Sequence, residues 1–187
     1  MGLLGGLIGD NAPLTIHDWE NSSGSFPNLD SNKVKACSTE NPRYVIADEN
    51  DKEHVIYTES LITCIGVLIH SRGERTDVAG LVHALGGREL QETKRVMNVI
   101  EKINSNYGKP GLVVRFIIGD EPDDNLFREL VSEVAKVKNV KDMKLVYGGK
   151  GVPDFENDFR NSYRYAAKVA YDVKMNSGYV GAKETKK

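Results

Sequence analysis

The stretch from Leu61 to His70 is almost continuously apolar and rich in β-branched side chains. A run of that length and composition reads as a β-strand covered on both faces, so the chain must place cover above and below a central sheet. Around it the periodicities change in an order that outlines an α/β protein. His54 to Thr58 is a short strand, Ser71 to Thr76 a polar loop containing Gly73, and Val78 to Leu85 a second strand. From Arg88 to Ser105, Leu90, Met97, Ile100 and Ile103 recur at helical spacing, and Gly108 and Pro110 end the helix.

Leu112 to Ile118 reads as a strand. Pro122, Asp123 and Asp124 then carry the start signals of a second helix, whose apolar face holds Phe127, Leu130, Val131 and Val134. Met143 to Tyr147 is a short strand followed by the Gly-rich loop Gly148-Gly149-Lys150-Gly151. From Tyr163 to Met175 apolar and polar residues alternate, which predicts a long strand with one solvated face. The tail from Gly178 to Lys187 is expected to fray. Residues 1–187 read as a single domain, with a loosely structured amino-terminal arm over 1–51, where Ser, Asn, Pro, Asp and Glu are frequent, and a core over 52–180.

Bulk composition narrows the functions. With 187 residues and 40% hydrophobic content, the chain can form a core without staples. A formal charge of -2 provides no basic surplus for nucleic acid or an anionic membrane. The apolar opening lacks the basic flank of a signal peptide and is too short to span a bilayer. Gly2 would suit myristoylation, but Gly6 stands where Ser or Thr is needed. His17, His54, His70 and His83 are scattered, and Cys37 and Cys64 have no zinc-type spacing, so neither a metal nor a disulfide framework is expected.

The two strands flanking the Ser71 to Thr76 loop bring two chemical groups together. If they form a hairpin with His70 opposite Asp77, then Cys64 falls opposite His83, with β-carbons about 4.5 to 5.5 Å apart. A register change of two leaves them diagonal on the same face; a change of one separates them. Gly66 and Ala79 share those faces and would leave space beside the pair. A thiol next to an imidazole is a nucleophile with its base, whereas a cysteine alone in an apolar strand is a small core residue.

The segments Tyr57-Thr58-Glu59-Ser60-Leu61-Ile62-Thr63-Cys64 and Ala79-Gly80-Leu81-Val82-His83-Ala84 place Thr, Cys and His in an order that resembles the chemoreceptor glutamine deamidases (the CheD family) and toxin deamidases of the cytotoxic necrotizing factor and Burkholderia lethal factor types. The resemblance spans residues 54 to 180 and implies a layered sandwich of mixed β-sheets flanked by helices. It also implies that Thr58 holds His83, that His83 activates Cys64, and that the substrate is an exposed glutamine of another protein. On that reading Cys64 attacks the carboxamide, His83 shuttles the proton, backbone N–H groups near Cys64 hold the oxyanion, and no cofactor is required.

Ile62-Thr63-Cys64 and Ala84-Leu85-Gly86 depart from the chemoreceptor enzymes' Gly-Ser-Cys and Met-Leu-Pro. This favours an effector or toxin-like deamidase, exported without a classical signal peptide into a host cytosol, over a bacterial cytosolic one. A thiol amidase or peptidase, and a non-catalytic binding module, are the other readings. Cys37 is expected to be an incidental thiol, Gly148 to Gly151 a turn and not a phosphate loop, and the Tyr163, Tyr165 and Tyr171 strip a sheet face. The carboxylates at 120, 121, 123 and 124 are expected to serve the helix start. His17 and Trp19 are candidate partner contacts.

Overall fold

The computed structural model describes residues 14–16, 29, 32–72, 76–148 and 163–186. The apolar run that opened the sequence is divided between two sheets. Its first residue, Leu61, ends strand β4 (Val55–Leu61), and the run resumes as β5 (Ile65–Arg72) after a corner formed by residues 62–64. Before the corner, Ser60 takes a left-handed φ of 63° and the register of β4 against its neighbour shifts between Thr58 and Leu61. This bulge turns the chain out of one sheet and into the other.

The first sheet also contains β1 (Leu14–Ile16), β3 (Tyr44–Asp48), β6 (Val78–Ala84), β7 (Gly111–Ile118) and β8 (Val140–Tyr147), in the order β1-β8-β7-β5-β6-β3. The second sheet has the order β10-β9-β4-β2, adding β2 (Val34–Ala36), β9 (Tyr163–Asp172) and β10 (Ser177–Lys186) to β4. Both sheets are mixed. β6 and β7 are each antiparallel to β5, and so run parallel to one another across it; helix α1 (Glu89–Tyr107) makes the crossover between them. Helix α2 (Asp124–Ala135) does the same for the parallel pair β7 and β8.

Side-chain alternation distributes the strands' residues between two cores. Ile65, Val67 and Ile69 of β5 and Val78, Val82 and Ala84 of β6 pack with Val96, Val99, Ile100 and Ile103 of α1 and Leu126, Leu130 and Val134 of α2. The opposite face, with Leu68, Ala79, Leu81 and Ile117, meets Ile56, Leu61, Ala167, Val169 and Tyr171 of the second sheet. The chain is therefore a mixed α/β protein, with helices on one side of the larger sheet and the smaller sheet on the other. Covering each large aliphatic side chain contributes about 1.5–3 kcal/mol. That is why the two-sided apolar run is the fold's central element.

Several expectations need correction. Residues 34–36 and 44–48, assigned to a loose arm, are strands paired in register with β4 and β6, so this part of the arm belongs to the sheets. The tail expected to fray pairs with β9 from Ser177 to Lys186, because the alternating β9 needs an antiparallel neighbour for its backbone. β9 itself ends at Asp172, and Met175 is exposed in the turn beyond. Its outer face is not uniformly solvated. Ala170 is buried because Tyr57 and Tyr179, its partners on either side, shade so small a side chain. Leu90, assigned to the apolar spacing of the first helix, is 63% exposed, because at about 100° per residue it lies well around the helix from the buried face of Glu92, Val96, Val99 and Ile103. The segment 1–13, His17 and Trp19, residues 149–151, and the side chains of Tyr163 and Tyr165 lie outside what is described.

The glycine that follows β8 has a packing reason. A β-carbon on Gly148 would lie 2.3 Å from Ala167 Cβ and 3.0 Å from its Cα, so the two sheets come together here at backbone distance. Gly148→Ala is expected to destabilise the protein by about 1–3 kcal/mol, the usual cost of overpacking. Chemical denaturation measures it; an unchanged midpoint would show that the sheets can part at this point.

Candidate functional site

The corner at residues 62–64 lies where the chain passes from one sheet to the other, and Cys64 is its last residue. Cys64 faces the space between the sheets, packed with Leu61, Leu68 and Ile117. His83 comes from β6, whose alternation places residues 79, 81 and 83 on that same side. Thr58 comes from β4 of the facing sheet. All three are buried, with relative exposures of 8%, 1% and 0%.

The register differs from the expected one by two residues. Gly66, not Cys64, stands opposite His83, and His70 stands opposite Ala79, not Asp77. The apolar run ends one sheet and begins the other, so β5 starts only at Ile65 and the hairpin slides accordingly. A shift of two preserves the face, so Cys64 and His83 are diagonal and share the inter-sheet space. Space beside Gly66 is not open: a β-carbon there would meet Leu61 Cδ1 at 2.8 Å and Ile117 Cβ at 3.5 Å.

Thr58 Oγ1 lies 2.8 Å from His83 Nδ1 and 2.8 Å from the carbonyl oxygen of Cys37. A carbonyl can only accept, so the single hydroxyl proton goes to Cys37 and Thr58 accepts from His83 Nδ1–H. Neutral His83 therefore carries its proton on Nδ1 and presents a bare Nε2. That nitrogen is buried and makes no hydrogen bond. Burial, and secondarily the Arg43 guanidinium, pull the His83 pKa down to about 4, so the ring is uncharged at neutral pH.

Cys64 is held differently. Burial pushes its thiol up; the Gly86 backbone N–H and the Thr63 side chain pull down against that, and the charge of Glu92 adds to the rise. Thiol and imidazole are thus both neutral at rest, so any activation of this thiol would require proton transfer to Nε2, not a standing ion pair.

Groups that sequence reasoning missed surround the trio. Cys37, read as incidental, is buried at 3% exposure; its Sγ donates to Leu81 O at 3.5 Å and its carbonyl fixes Thr58. Burial pushes its own thiol up to about 12, so the residue serves through its backbone. The Arg43 carbonyl accepts from His83 N at 2.9 Å, and its guanidinium reaches Glu92, fully buried between Arg43 and Arg95. No local pattern announces these contacts, which join segments remote in sequence. Asp123 was legible as a helix start, and its side chain does cap α2 by accepting from Leu126 N at 2.9 Å. Among the described residues no three His, Cys, Asp or Glu side chains are grouped to hold a metal ion, and no helix is long and apolar enough to cross a membrane.

No protein-family profile matches the chain, and no curated protein matches it. The site's chemistry has to be read from its own geometry.

Proposed function

We propose that the chain is a protein-glutamine deamidase, hydrolysing a glutamine carboxamide of another protein to a carboxylate with release of ammonia. The supporting observation is the relay Cys37 carbonyl, Thr58 hydroxyl, His83 Nδ1–H, which leaves Nε2 as an uncommitted base on the side of the sheet that carries Cys64. Substrate binding brings the thiol and Nε2 into hydrogen-bond contact, as apo sites commonly require. His83 takes the thiol proton while Cys64 Sγ attacks the carboxamide carbon. The tetrahedral intermediate collapses as His83 returns the proton to the amide nitrogen and ammonia departs, leaving a thioester. Water, deprotonated by His83, adds to the thioester carbon; the carboxylate leaves and the thiol is restored.

The reading carries over the resemblance to the CheD family and to toxin deamidases. The substrate is a protein, with an effector role in a host cytosol favoured by the departures around Cys64. A second reading, a non-catalytic binding module, is favoured by the burial of Cys64 and the absence of a hydrogen bond between its thiol and Nε2.

Chloroacetamide, a primary carboxamide carrying an electrophile, separates them. On intact-mass analysis of the native protein, Cys64 is expected to label while Cys37 stays protected, and His83→Ala should slow labelling by at least about tenfold. Equal, slow labelling of both proteins would return Cys64 to the core and favour the binding module. Ammonia release from glutamine-containing peptides then tests hydrolysis itself.

A further inference from the structure

Three segments meet at Asp123, and two of them reach Cys64. Its backbone N–H donates to Thr63 O at 3.1 Å, holding the peptide that precedes the cysteine. One carboxylate oxygen caps α2 through Leu126 N; the other accepts from Gly87 N at 2.9 Å, fixing the turn that follows His83's strand. Between these contacts lies Gly86, whose backbone N–H works to lower the Cys64 pKa against burial. The approach is close: a β-carbon on Gly86 would lie 3.0 Å from Asp123 Oδ2 and 3.3 Å from Thr63 O, and Gly87 holds a φ of 72°. A helix cap needs one oxygen, and Leu126 already satisfies that need. The second oxygen and the main-chain N–H instead tie the corner carrying Cys64 to the turn facing it.

We infer that Asp123 is a positioning residue of the site: it clamps the Gly86–Gly87 turn against the Thr63 carbonyl so that Gly86 N–H is aimed at Cys64 Sγ. This rests on the deamidase reading for its catalytic meaning. A backbone donor held on that side of the sulfur stabilises the thiolate as it forms, and it lies beside the carbon that Sγ attacks, where the amide oxygen acquires charge. Asp123 acts through Gly86 and touches no reacting atom.

Asp123→Ser separates clamp from cap, since serine also caps helices but is too short to reach Gly87. In the full-length chain, Cys64 alkylation by chloroacetamide is expected to slow about tenfold at neutral pH and its pH profile to move up by about one unit, with thermal stability little changed. Asp123→Asn, which keeps one acceptor oxygen, should lie between the two and serves if the serine variant folds poorly. A second readout is the Gly86 amide resonance, which should titrate with the Cys64 thiol in the native protein and lose that response in Asp123→Ser. Superimposable pH profiles and an unchanged Gly86 titration would overturn the inference and leave Asp123 as a cap alone. If the native protein released no ammonia from any glutamine peptide, the deamidase reading would fall, while the Gly86 titration would still decide the clamp.

Discussion

Replacing Thr58 by valine is expected to lower deamidation on the order of a thousandfold while leaving the fold in place. Valine matches threonine in shape but cannot bridge the Cys37 carbonyl and His83 Nδ1, both now 2.8 Å from the hydroxyl. Without that acceptor the ring loses its reason to keep the proton on Nδ1, and the opposite tautomer presents Nε2–H to the thiol as a donor, useless as a base. Two buried polar groups would also lose their partner, at a cost of about 2 kcal/mol. Thr58→Ser retains the hydroxyl and should retain most of the activity. The comparison is made by single-turnover ammonia release alongside chemical denaturation. Activity in Thr58→Val within a few-fold of native would mean that the hydroxyl's role is confined to stability.

The second large effect is a loss of stability in mild acid. His83 has a folded pKa of about 4, against an ordinary value of 6.5, because it is buried beside Arg43. Between those values the unfolded chain binds a proton at this position and the folded chain does not, so stability rises with pH across the window and falls as pH drops from 6.5 toward 4. Below about 4 both states are protonated and the contribution is gone. The full difference is about 3 kcal/mol. Denaturant unfolding of the native protein and of His83→Gln at a series of pH values should show a steeper acid loss in the native protein. Parallel curves would indicate that the ring can open to water or find an anionic partner when it charges. The same titration requires the proposed activity to fall in acid only as His83 becomes protonated.

Both predictions depend on contacts that differ in how readily a sequence reveals them. The identity of most elements was legible because it is local. The Leu61 to His70 composition demands a strand, the repeats after Arg88 and Asp123 demand helices, and Asp123 announces a helix start that the structure places at Asp124. That Cys64 and His83 share a face was legible too, because side-chain alternation survives a register change of two. The register itself was not. It followed from the division of the apolar run at Leu61, where the Ser60 bulge carries the chain into the other sheet, and composition does not mark that corner.

By itself, the sequence determined the strand and helix candidates and the parity of the residues along them, which puts Cys64 and His83 on one side of the sheet. Tertiary structure alone decided what holds them. The Cys37 carbonyl, Thr58 and His83 come from separate strands in two sheets, and Asp123 reaches Gly87 and Thr63 across long stretches of chain. Such contacts depend on how one sheet packs on another, and packing is a property of whole layers: no local window of residues contains both partners, so no periodicity can encode the pair.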